Sequence, residues 1–523
     1  MKRTSPTLAL AAAFVAIGTL GVLGTTSTPF GNTTGHNTAT STEAASVSGS
    51  STLTVGLQAD PVTLDPSLST ALVDRQVMMN IYDTLFAITP KGQIVPDLVK
   101  SYTISKDKLT YTFVLHTGIK FQDGTPFNAE AVKFNLDRDM AKVSARSSEL
   151  SSVKSVSVLN SDTVVIHLKQ PYAPLLGVLT DRAGMMVSPT AVKKEGSNYQ
   201  NHPVGTGPYA FQSQVVGDYI TLVSNKSYWK GRPKIQTVTF KAFTDPNVEL
   251  TNLENGSIQL SDQVPAQQLS SLEHNSNYVV SNTPGLGYQG FYLNTTKAPF
   301  NNRYLREAVD AAINRSTIVN VAFNGEASPS WGPFSPESPV YNKQLDTPPP
   351  PNPTLVKKLL KEGGKPNGFS FTFQTTNSPI TAEVAQMIQS MLAPFHITMK
   401  IQQLEFGTLL SNNTNHAFQA SALGWSGRID PDGNVYSFWY TGAPNNGSNF
   451  SDPVVDKLLN QARVIPSMSA RAKVYDEFMT EMHKQDPYIF LYFPNNTYAY
   501  TKNLRGFQSY PDGVFRIYQM SLS

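Results

Sequence analysis

The 523-residue chain contains no cysteine. That one absence excludes disulfide scaffolds, cysteine-bound zinc, iron–sulfur clusters and thiol nucleophiles together. Charge is sparse as well: Asp, Glu, Lys and Arg make up 15% of the residues, against roughly 25% in an ordinary globular chain. Neither sign dominates. The 41 Lys+Arg and 38 Asp+Glu leave a formal charge of +3, which is not the basic footprint of a nucleic-acid binder. The 8 histidines are scattered with no H-x-H or HExxH spacing, so no preformed metal site is expected. Walker, G-x-S-x-G and post-strand G-x-G-x-x-G motifs are missing too. S-x-x-K occurs at Ser105–Lys108 and Ser151–Lys154, but without the K-T-G and S-D-N companions that give it meaning. No catalytic residue, metal ligand or cofactor motif emerges, and the chain reads as a binder.

What is present begins with an address. Lys2 and Arg3 precede the apolar run Leu8–Leu23, the pattern of a secretory signal or an uncleaved membrane anchor over residues 1–24. Residues 25–51 are mostly Ser, Thr, Gly, Ala and Asn, too poor in apolar surface to offset ordering entropy, and read as a flexible tether. No later stretch reaches spanning length without charges. A soluble body should therefore start near residue 52.

Strand and helix patterns alternate through that body. Leu53–Leu57 reads as a strand, Val73–Phe86 as a helix, and Leu109–Leu115 as a strand of strict alternation. Asn128 should cap a helix reaching Met140, and Val156–Leu168 should form a hairpin turning at Asn160–Asp162. Further on, Arg303–Arg315 and Leu355–Glu362 read as helices. Phe369–Phe373, Glu383–Leu392 and Ile397–Ile401 then form a β-α-β unit. The class is α/β or α+β.

Trp is rare, at 4, yet Trp425 and Trp439 flank the polar, Gly-rich stretch GWSGRIDPDG at 424–433. Turn-forming Gly, Pro and Asp beside aromatic walls are the materials of a small-molecule cleft.

At this loop and several others the chain resembles the extracytoplasmic solute-binding proteins of ABC importers, specifically the oligopeptide/dipeptide/nickel-binding family (family 5). The matching stretches are DPVTLDP (60–66), IYDTLF (81–86), the run 94–138, HPVGTGPYAF (202–211) and YWKGRPKIQTVTF (228–240). LENGSIQ (253–259), the run 294–319 and GWSGRIDPDGN (424–434) follow in family order.

The resemblance implies an α/β, two-lobed periplasmic-binding-protein type II (Venus-flytrap) fold with an extra inserted domain. Lobe I would comprise 52–86, 201–285 and 491–523, domain II 87–200, and lobe III 286–490. A peptide or peptide-like solute would lie between lobes I and III, be enclosed by hinge closure, and be delivered to permease subunits in the membrane. No nucleic acid, cofactor or oligomer is expected.

Peptide-binding relatives carry an Asp just after G-W-x-G, where Arg428 stands here. Dipeptide binders carry Arg and Tyr where Thr375 and Asn377 stand. An Arg in the cleft would favour a carboxylate or phosphate, unless it pairs internally with Asp430 or Asp432. The candidate ligand-binding residues are Trp425, Ser426, Arg428 and Asp430, then Ser69, Thr70, Tyr288, Tyr292, Thr375 and Asn377. A peptide-sensing receptor or chaperone of the same fold, and an exported hydrolase, are the alternatives. With no cysteine after the leader, a lipid anchor on cysteine is excluded, leaving release or retention by Leu8–Leu23.

Overall fold

One strand holds the main sheet together. Tyr488–Thr501 spans fourteen residues and pairs antiparallel along its whole length. Its first part takes Gln289–Leu293 and Ala327–Pro329; its last part takes Tyr278–Pro284 and Leu260–Ser261. The computed structural model describes residues 51–523, so the expected leader and tether lie outside the described residues.

Each half of this twelve-stranded sheet carries its own parallel strands. In the first half Thr52–Leu57 pairs parallel with both Thr237–Ala242 and Leu260–Ser261. In the second, Ser370–Thr376 pairs parallel with both Thr398–Leu404 and Ala420–Ala422. The helix Pro379–Leu392 makes the crossover and buries Val384, Ala385, Ile388 and Leu392. In open α/β sheets, ligands bind beyond the carboxyl ends of parallel strands. Here those ends release Gln58, Thr244 and Gln263 from one half, and Asn377 and Leu423–Ser426 from the other. A separate four-stranded antiparallel sheet, in the order Val99–Ile104, Thr110–Leu115, Thr163–Leu168, Val153–Asn160, has its own apolar core with the helix Ala129–Asp139.

Local signals set many boundaries. The side chain of Asn128 accepts from the Ala131 amide at 3.0 Å and caps its helix, and the hairpin turns over Asn160–Thr163 as its sequence expects. Two expected helices end early. The one read as Val73–Phe86 is Leu72–Ile81, because the chain beyond it turns extended and the Leu85 amide donates to the Gly184 carbonyl at 2.9 Å. The one read as Arg303–Arg315 stops at Ala312. Ile313 is extended there, and Asn314 caps a new helix, Arg315–Ala322, by accepting from the Thr317 amide at 3.0 Å.

Among the described residues no helix is long and apolar enough to cross a membrane, and no His/Asp/Glu group could hold a metal ion.

Candidate functional site

The strand ends of both halves face a shared cavity of about 280 Å³. Its wall is mostly apolar, with Phe373, Ile388, Phe406, Trp425 and Phe438 among the lining side chains, and the polar remainder is hydroxyl or amide. Not one lining residue among those described is Asp, Glu, Lys, Arg or His. A chain that spends little charge overall spends none on this surface.

Six of the ten candidate residues line the cavity: Thr70, Tyr292, Thr375, Asn377, Trp425 and Ser426. Asn377 and Thr375 lie where the strand Ser370–Thr376 runs out into the N-terminus of the crossover helix. Thr375 Oγ1 is fully buried and finds no partner among the described residues. Trp425 exchanges backbone hydrogen bonds with Tyr288, both at 2.9 Å, which fixes the start of the Gly-rich loop against the second half of the sheet.

The other four stand behind the wall. Tyr288 is packed among Trp439, Tyr488 and Phe490. Ser69 is fully buried, donating to Asp74 Oδ2 at 2.8 Å and accepting from Arg182 Nε at 2.9 Å. Asp430 takes both terminal nitrogens of Arg471, at 2.7 and 2.5 Å. Arg428 turns from the cavity and pairs with Asp181, its guanidinium lying 4.0 Å from the centre of the Trp425 ring. The internal partner is thus neither Asp430 nor Asp432, since Asp432 is held by Arg463 through two bonds of 2.8 Å. The physical reason is desolvation: a guanidinium this deep needs a carboxylate, and Asp181 supplies one.

Asp181 is the hub of a buried cluster. Arg75 reaches it at 3.1 and 3.0 Å, and the Arg182 amide at 2.7 Å. Burial alone would raise its carboxyl, but Arg428, Arg75 and Arg182 outweigh that and hold it well below the usual carboxylate range. Burial, with Arg75 adding to it, pushes Arg428 down to about 9, so it stays charged at neutral pH.

Buried carboxyls elsewhere move the other way. Burial pushes Asp139 and Glu249 up to about 7 and Asp346 up to about 8. In the unfolded chain such groups titrate near ~4. Folding therefore takes up protons between the two values, and this part of the stability is lost as pH rises toward 8. Asp181 and Asp512 have depressed values, so their contribution is present above ~4 and lost as pH falls below it. The expected Tm is highest at about pH 5 and lower at pH 8. A thermal scan across pH in which Tm climbs steadily from 5 to 8 would contradict these environments.

Sequence reasoning missed the residue that shapes the loop. Asn434 Oδ1 accepts from Trp425 Nε1 at 3.1 Å and from the Arg428 amide at 2.7 Å, while its Nδ2 donates to the Arg428 carbonyl at 3.0 Å. Replacing Asn434 by alanine should cost about 2–4 kcal/mol, from three lost bonds of roughly 1 kcal/mol each with buried partners left behind. Urea unfolding measures it. Gln58, Gln263, Gln289 and Asn413 were missed as well. Gln58 and Gln263 lie just past strand ends, Gln289 opens a strand and Asn413 lies in the helix Phe406–Thr414, so only their place in the fold marks them.

Residues 93–447 match the family model of bacterial extracellular solute-binding proteins, family 5. The glutathione-binding protein GsiB of Shigella flexneri is 33% identical over 467 residues, covering 87% of this chain and 91% of that protein. The periplasmic binding protein DppA of Helicobacter pylori, solved in complex with the peptide STSA, matches with a TM-score of 0.85 at 28% identity. That match covers 90% of this chain and 98% of DppA. AgaA of A. tumefaciens R10, in complex with agropinic acid, matches with a TM-score of 0.84 at 27% identity, over 90% of this chain and 99% of AgaA. With this match, the two-half fold and the shared cavity, the chain belongs to the family 5 bacterial extracellular solute-binding proteins, the extracytoplasmic components that capture solutes for ABC importers.

Proposed function

We propose that this importer component captures a short peptide or peptide-like solute of zero net charge. The observation that carries the reading is the wall of the shared cavity, which offers hydroxyls, amides and aromatic faces but no ionised side chain. An anionic solute buried there would lack the counter-charge that makes such burial tolerable. Neutral donors and acceptors can satisfy peptide groups in full, and the aromatic faces take an apolar side chain. DppA was solved with the tetrapeptide STSA, whose two end charges cancel.

In this reading residues 52–86, 201–285 and 491–523 form one lobe, 286–490 the facing lobe, and 87–200 an inserted domain. The body works outside the membrane without a lipid on cysteine, since the chain has none.

Calorimetry with the STSA peptide, glutathione and agropinic acid tests it. Saturating STSA at about a hundredfold excess over Kd should add about 2.7 kcal/mol to stability. Glutathione and agropinic acid, both net anions at neutral pH, should add little. Tight binding of either anion with no response to STSA would overturn the reading.

A further inference from the structure

We infer that the cavity reads the two ends of its solute through a pair of neutral relays, Gln263 set as a hydrogen-bond acceptor and Ser426 set as a donor. This rests on the peptide-like reading above and names how that site tells one end from the other.

Gln263 lines the cavity from the first half of the sheet. Its Nε2 donates to the Phe243 carbonyl at 2.7 Å and to Glu249 Oε2 at 2.7 Å. A backbone carbonyl can only accept, so the amide cannot be turned over without placing oxygen against oxygen. Both N–H bonds are thereby consumed, and Oε1 is what remains for the cavity. Glu249 is itself fixed: it is fully buried, and its Oε1 accepts from Ser261 Oγ at 2.6 Å and from the Asp262 amide at 3.1 Å. Gly56 leaves the space, since a Cβ there would overlap the Glu249 carboxylate.

Ser426 lines the cavity from the other half. Its Oγ lies 3.3 Å from Arg75 Nη1 and 3.3 Å from Arg428 Nη1. Guanidinium groups donate and never accept. The hydroxyl oxygen therefore faces two donors, and its own hydrogen is turned away from them, toward the cavity.

The layer behind the wall differs in chemistry at the two places. The Glu249 carboxyl, an acceptor, stands behind Gln263. Arg75 and Arg428 stand behind Ser426. An amino group or N–H of the solute fits the Gln263 oxygen, and a carboxylate or carbonyl fits the Ser426 hydroxyl. The ligand class is a dipolar molecule of zero net charge, such as a peptide with both ends free. The wall thus presents an oxygen at one end and a hydroxyl hydrogen at the other, while Glu249 and the two arginines behind it stay bonded to protein groups.

Calorimetry on the full chain with three probes tests the relays: the STSA peptide with free ends, its N-acetylated form and its C-amidated form. On the native protein each blocked end should weaken binding roughly tenfold or more, as loss of a charge-assisted hydrogen bond does. Gln263→Met should abolish the penalty for acetylation and keep that for amidation, and Ser426→Ala should do the reverse. Ser426→Thr, which keeps the hydroxyl, should keep both penalties. Glu249→Gln, a change outside the cavity, should lessen the acetylation penalty alone, which a merely structural role of Glu249 would not do. If the variants pay both penalties in full, or erase the opposite ones, the relays are overturned while the peptide reading stands. If the native protein does not bind free STSA, the peptide reading falls and the relays with it.

Discussion

Replacing Asp181 by alanine is expected to lower the unfolding free energy by about 3–5 kcal/mol, the usual cost of removing one partner from a buried ion pair. The side chain is 6% exposed, and it is the carboxylate shared by Arg75, whose side chain is 1% exposed, and Arg428, at 13%. Without it these guanidiniums lose a counter-charge at a depth where water cannot replace it. Arg75 retains Asp512 at 2.9 Å, so Arg428 suffers most. Adding Arg428→Met to Asp181→Ala removes the stranded charge and should recover about 1–3 kcal/mol of the loss. Urea denaturation of the two single variants and the double one measures the coupling. A double variant that is merely the sum of the singles would mean that Arg428 and Asp181 do not depend on each other. The pair also ties the cavity loop to the segment after the four-stranded sheet. Asp181→Ala should therefore weaken solute binding beyond what its stability loss explains.

The second large effect falls on Trp425. It forms part of the cavity wall, packs edge-on to Phe438 at 4.7 Å and carries Arg428 on its ring. Trp425→Ala should weaken solute binding roughly a hundredfold, about 2.7 kcal/mol, as buried aromatic anchors commonly do. Trp425→Phe keeps the wall but loses the bond from Nε1 to Asn434, so it should cost stability more than affinity. Calorimetry with the STSA peptide, paired with thermal unfolding of each variant, separates the two. An alanine variant that binds as tightly as the native protein would remove Trp425 from the site.

Periodicity made much of the secondary structure legible before the fold was known, above all the hairpin at 153–168 and the β-α-β unit at 370–404. The crossover helix nevertheless begins at Pro379, four residues before the expected start, because Pro fits the first turn of a helix and Ser378 precedes it. The central strand was not legible. Its sequence YIFLYFPNNTYAYT carries Pro-Asn-Asn in the middle, a local turn signal. Pairing overrides it: Pro494 lies opposite Ala327, and Asn495 and Asn496 lie opposite Pro284 and Thr283.

The site was half legible, for a similar reason. The Trp-flanked loop stood out by composition. The roles of its charged residues depended on partners far away in sequence. Arg428 finds Asp181, Asp430 finds Arg471 and Asp432 finds Arg463, and none of these pairings follows from spacing. In the sequence, the near-balance of charge excludes a nucleic-acid binder and the low charge content says nothing about the site. In the folded chain it takes on meaning, because ionised groups are kept one layer behind the cavity and neutral ones face the solute.

The most direct test is the solute itself. Protein purified without added ligand is denatured, and the small molecules released are weighed by mass spectrometry and counted against protein. The expected result is about one equivalent of a peptide-like compound with zero net charge at neutral pH. Recovery of one equivalent of a net anion, such as a carboxylated sugar derivative, would contradict the account.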